Sequence, residues 1–77
     1  MKTYAAAYIN FFDNALTVSI VVADSWKEAL KLHMFHSILE VTLEIACKMV
    51  DSLSDDYETA LSDALNQAWQ FAVKEIQ

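Results

Sequence analysis

The sequence predicts an α+β fold in the order β-β-α-α(-α): an antiparallel two-stranded hairpin packed against two or three helices, as one domain over residues 1–77. Three observations predict it. Residues 3–23 form two alternating runs around Asp13-Asn14. Ser25-Trp26-Lys27-Glu28 is a capping box, in which serine accepts an orphan N–H and glutamate reaches back. Beyond residue 25 the apolar spacing changes from two to three and four.

The hairpin spans residues 3–23. The chain has no glycine, so Asp13-Asn14, which tolerates positive φ, is its best turn signal. A two-residue turn pairs Phe12 with Ala15. One face then carries Phe11–Leu16, Ile9–Val18, Ala7–Ile20 and Ala5–Val22, all apolar. That face is expected to be the core face. The other, with Asn10–Thr17, Tyr8–Ser19, Ala6–Val21 and Tyr4–Ala23, is expected to face outward.

Helices are expected over about residues 25–35, 37–53 and 56–76. The first buries Trp26, Ala29, Leu30 and His33. A second box, Ser37-Ile38-Leu39-Glu40, opens the next, whose polar stripe is Glu40, Glu44, Lys48 and Asp51. At about 100° per residue this stripe falls on the side that Trp26, Leu30 and His33 occupy earlier, so the apolar face changes sides near residues 35–37. A break there is the simplest explanation. A single helix over 25–53 is the alternative, with a seam of Leu32, Phe35, Leu39, Leu43, Ala46, Val50 and Leu53. The last helix follows the polar connector Ser52–Asp56 and carries a ridge of Ala60, Ala64, Ala68 and Ala72.

Composition limits the functions available. The chain is 56% apolar and 21% charged, unlike a disordered tail. Its net charge is −6, and five scattered lysines make no basic stripe, so direct nucleic-acid binding is not expected. Without glycine there is no phosphate loop. One cysteine excludes an internal disulfide. The longest uncharged apolar runs fall well short of the roughly 20 residues of a membrane-spanning helix. Asp13 and Asn14 interrupt the segment that would otherwise resemble a signal peptide, and a cytoplasmic protein is expected.

Two partner-binding patches are candidates. Asp51, Asp55, Asp56, Glu58 and Asp63 form an acidic cluster, fit to meet a basic groove or to mimic phosphates. The competing explanation is local, since Asp55, Asp56 and Glu58 sit at a helix start, where negative charge offsets the macrodipole. Tyr4, Tyr8 and Phe12 form an aromatic face, fit for a protein or oligomer interface. The apolar excess, together with two unpaired strand edges, points to homo-oligomerisation or a covering partner. No catalytic residue is assigned. Cys47 lacks a neighbouring helix N-terminus to activate it. His33, His36 and Glu40 have ligand-like spacing but straddle the expected break, so no metal and no cofactor is assigned.

The run Ala23-Asp24-Ser25-Trp26-Lys27-Glu28-Ala29-Leu30, entered from a hairpin, resembles the openings of small acidic phage-encoded inhibitor proteins, including the anti-CRISPR class. The resemblance covers about the first 30 residues and carries over no functional residue. It implies stoichiometric binding to a host defence or nucleic-acid-processing enzyme. The expected function is therefore a small non-enzymatic protein-binding module, an inhibitor acting by surface occlusion or acidic mimicry. The alternative is a scaffolding protein that works by homo-oligomerisation through residues 38–53.

Overall fold

A computed structural model of the chain describes residues 1–12, 14–38 and 40–76. In chain order the elements are β1 (Lys2–Asn10), β2 (Ala15–Ala23), α1 (Trp26–Ser37), α2 (Leu43–Asp51), α3 (Tyr57–Asn66) and β3 (Trp69–Glu75). The fold is α+β, with the N-terminal hairpin packed against helices. The sheet gains a third strand from the C-terminus, in the order β2-β1-β3, antiparallel throughout.

That strand corrects the expected helix over 56–76. Helix α3 stops at Asn66, and Ala68 turns the chain at φ 67°. A left-handed alanine costs roughly 1–2 kcal/mol. Burial of Trp69, Phe71 and Val73 on alternate positions of β3 outweighs it. Those three residues have a period of two, the strand signature, which the alanine spacing concealed. The alanine ridge is therefore split. Ala60 and Ala64 are buried on α3, Ala68 is in the turn, and Ala72 lies exposed on β3.

The hairpin forms, with two corrections. Asn10 pairs with Ala15, Ala7 with Val18 and Ala5 with Ile20. The connection is thus longer than the expected two-residue turn. Asn14, at φ 55°, donates its N–H to the Asn10 carbonyl at 2.8 Å, and the Asn10 side chain accepts from Phe12 N–H at 2.8 Å. Asp13, the other half of the expected turn, lies outside the described residues. The register shifts by two, so face membership is preserved. The choice of core face is reversed. Tyr4, Ala6 and Tyr8 point inward, whereas Leu16, Val18, Ile20 and Val22 are exposed.

Helix α1 begins at the expected serine cap, where Ser25 Oγ accepts from Glu28 N–H at 3.3 Å, while the Glu28 carboxylate meets Lys31 at 3.5 Å in place of the expected return bond. Ser25→Ala is expected to cost about 1 kcal/mol, lowering the melting midpoint by roughly 4–8 °C in a thermal scan followed by circular dichroism. The break after α1 is present, but Ser37 does not open the next helix. It ends α1, and Thr42 caps α2 by accepting from Ile45 N–H at 3.2 Å. Thr42 thus takes over the capping role expected of Ser37, five residues later, and Glu40 falls in the connection. Leu39 lies outside the described residues.

Helix α1 crosses the inner face of the sheet with Ala29, Leu30, His33 and Met34 fully buried. Helix α2 packs on α1 through Ala46 and Val50. At one end of the core, Phe71, Trp26 and Tyr57 form a triangle of rings, with centroids 5.6 Å from Phe71 to each of the others and 5.2 Å between Trp26 and Tyr57. Trp69 lies 5.6 Å from Phe71 and 5.5 Å from Tyr8. The Tyr57 hydroxyl also accepts from Val73 N–H at 2.9 Å. This bond occupies a donor that β3 would otherwise present on its free side. The outer edge of β2 has no comparable side-chain cover among the described residues.

Candidate functional site

Because all three helices lie on one side, the other face of the sheet is left in water. Its rows across the strands are Leu16–Ile9–Gln70, Val18–Ala7–Ala72 and Ile20–Ala5–Lys74, with Val22 and Thr3 beyond. Leu16, Val18, Ile20 and Val22 are 54–66% exposed and form a continuous aliphatic ridge along β2. Beside the ridge, Ala5, Ala7 and Ala72 leave the surface low. Two shallow depressions of about 170 and 220 Å³ lie there and share Ala7 and Ala72. Leu16 forms a wall of the first and Val18 of the second. None of the described carboxylates belongs to these rows. The Lys2–Glu75 ion pair, 3.4 Å long and exposed, sits at the end of the sheet.

The sequence singled out most of this face but assigned it to the core. Two inward-facing features decide otherwise. The tyrosines of β1 complete the aromatic cluster, and Thr17 and Ser19 of β2 serve His33. The His33 Nε2 lies 2.9 Å from Thr17 Oγ1 and 3.2 Å from the Thr17 carbonyl oxygen. Its Nδ1 meets the Ser19 hydroxyl, and Ser37 Oγ at 3.1 Å. Either neutral tautomer is satisfied: one ring nitrogen donates and the other accepts. Burial disfavours the imidazolium and holds the His33 pKa below its ordinary value, against the Thr17 carbonyl, which raises it. His33 thus ties α1 to the hairpin. His36 is exposed and Glu40 lies beyond the helix, so the three residues do not converge.

Tyr4 and Tyr8, expected on an exposed interface, are each only 5% exposed. They are core residues because the sheet presents the opposite face to solvent. Phe12 is 86% exposed, at the hairpin tip.

The acidic cluster is largely engaged within the chain. Asp51 pairs with Lys31 at 2.8 Å, and that hydrogen bond raises the lysine's pKa. Asp55 pairs with Lys27 at 2.9 Å; the hydrogen bond, then the lysine's charge, lowers its carboxyl pKa. Asp56 caps α3, accepting from Thr59 N–H at 3.0 Å and its hydroxyl at 2.8 Å, which lowers its pKa. Asp63 accepts from Ser54 N–H at 3.0 Å. Glu58 is exposed, with no hydrogen-bond or ion-pair partner among the described residues. Sequence reasoning placed the helix-start acids. It missed the cross-helix lysines, whose positions depend on how α1 lies over the α2–α3 connection.

A third depression, about 380 Å³, lies between β1–β2 and the α1–α2 connection, lined by Tyr8, Asn10, Thr17, Ser37, Glu40 and Val41 among others. It adjoins the His33 network through Thr17 and Ser37, both of which bond the ring. Comparison of the chain with protein-family models, with curated proteins and with solved structures gives no match.

Proposed function

We propose that this chain is a non-enzymatic protein-binding module whose contact surface is the outer face of its sheet. One observation carries the reading: four large aliphatic side chains, Leu16, Val18, Ile20 and Val22, stand in line and are each more than half exposed. A fold that buries Leu30, Met34 and Val50 completely has left its most regular apolar surface in water. Contiguous apolar patches of this kind mark interaction sites. Stoichiometric inhibition by occluding another protein's surface is compatible with such a patch. The acidic cluster supports the mimicry version less, because four of its five carboxylates already bond within the chain.

The test compares two sets of variants as immobilised bait against an extract of the source cells. Val18→Lys and Ile20→Lys alter the sheet face, and Asp55→Lys with Glu58→Lys alters the acidic cluster. The expected result is that proteins retained by the wild-type chain are lost with either sheet variant and kept with the acidic double variant. The reverse pattern assigns binding to the acidic cluster and overturns the reading.

A further inference from the structure

We infer that the occupant of the outer sheet face is a second copy of this chain, packed face to face so that each β2 ridge lies over the other copy's alanine trough. The inference rests on the reading of that face as a protein contact, and names the partner.

Shape is the first argument. The face is asymmetric across the strands, with large aliphatics on β2 and alanine at Ala5, Ala7 and Ala72 on the neighbouring strands. A two-fold axis running along the strands sets β1 over β1 and β2 over the partner's β3. Val18 of each ridge then lies over Ala72 of the partner, where the two depressions meet, with Leu16 and Ile20 beside Gln70 and Lys74. This is the self-complementarity an isologous interface requires. Sheets packed in this way sit about 10 Å apart with strands roughly 30° from alignment.

Charge is the second argument. Two copies, each carrying −6, repel one another. The rows of the outer face contain no described carboxylate, and their one ionic side chain is Lys74. Face-to-face docking is the approach that keeps the acidic helical layers farthest apart.

Area is the third. Three rows across three strands, with Val22 and Thr3 beyond them, cover at most roughly 14 by 27 Å in projection. Two such corrugated faces remove on the order of 1,000 Å² from water, the lower bound of a specific interface. Pairing through the free β2 edge is the competing arrangement. It leaves the whole ridge in solvent, whereas face packing covers it.

Light scattering coupled to size exclusion, from micromolar to millimolar loading, tests this. The wild-type chain is expected to run at twice its monomer mass. Val18→Lys, which charges the ridge, and Ala72→Trp, which fills the trough, are each expected to run as monomers with unchanged circular dichroism. Val18→Ile is expected to keep the dimer. If Val18→Lys fails to fold, Ala72→Trp at its exposed position decides. A wild-type monomer at millimolar loading overturns the inference, while capture of other proteins through the same face would still support the protein-binding reading. A dimer that survives both Val18→Lys and Ala72→Trp also overturns it and assigns assembly to another surface, such as the β2 edge.

Discussion

Phe71→Ala is expected to destabilise the chain by about 3–5 kcal/mol. The ring is 3% exposed and stacks against both Trp26 and Tyr57. Truncation removes its burial, opens a cavity beneath α1 and removes one ring contact from each of Trp26 and Tyr57. A chain of 77 residues has roughly 4–12 kcal/mol of total stability at ordinary per-residue values, so the loss is a large share of the whole. Urea unfolding followed by tryptophan fluorescence measures it, because Trp26 and Trp69 both lie against Phe71. Gln70→Ala, one position away and exposed on the opposite face, is expected to stay within about 0.5 kcal/mol of wild type. Comparable losses at residues 70 and 71 would contradict the strand, because alternation between faces is what separates them.

Acid is expected to weaken the fold through His33 before it reaches the Asp55 and Asp56 carboxylates. The folded-state pKa of this imidazole is lowered by burial from an ordinary value of 6.5. The unfolded chain therefore binds the proton more readily, and the neutral ring's contribution is fully present above the unfolded pKa. Stability is lost as pH falls below 6.5 toward the depressed folded value. The lowered pKa values of Asp55 and Asp56 have the same sign, but their contributions fade only below 3.8. Lys31, with its pKa raised, acts in the opposite direction and loses its contribution only above 10.5. Thermal midpoints measured from pH 7.5 to 4.5 are expected to fall for the wild-type chain. His33→Gln is expected to remove most of the slope over the upper part of that range. At pH 7 the same variant is expected to cost about 1–3 kcal/mol, because glutamine reproduces only part of the bonding to Thr17, Ser19 and Ser37. An unchanged slope in His33→Gln would place the acid sensitivity elsewhere.

The parts of this architecture that were legible in the sequence are those set by neighbours along the chain. Ser25 can cap only the helix that follows it, so its bond from Glu28 N–H was readable, while Glu28 turned to Lys31 one turn on. The alternation of residues 3–23 specified two strands and which side chains share a face, and a register error of two left those sets intact. The loss of a consistent apolar stripe near residues 35–37 marked the end of α1, although Thr42 rather than Ser37 begins α2. The missed strand had a local signal of its own in Trp69, Phe71 and Val73. It was overridden by an alanine periodicity that runs equally well through a helix and past its end.

By itself the sequence determined the class, the hairpin and the first helix, and it favoured a break within residues 25–53 without deciding it. Each of these depends on dihedral preferences, caps and periodicities that act within a few residues. Which face of the hairpin becomes the core was decided only in the tertiary structure. Local alternation makes the two faces distinct but does not rank them. The ranking came from partners distant in the chain: Phe71 and Trp69, which complete an aromatic layer with Tyr8, and His33, whose ring needs the hydroxyls of Thr17 and Ser19. Burying a polar ring without those hydrogen bonds is costly, and turning the tyrosines outward would also forfeit the burial of the aromatic layer. The face that looked most like a core is therefore the one left exposed.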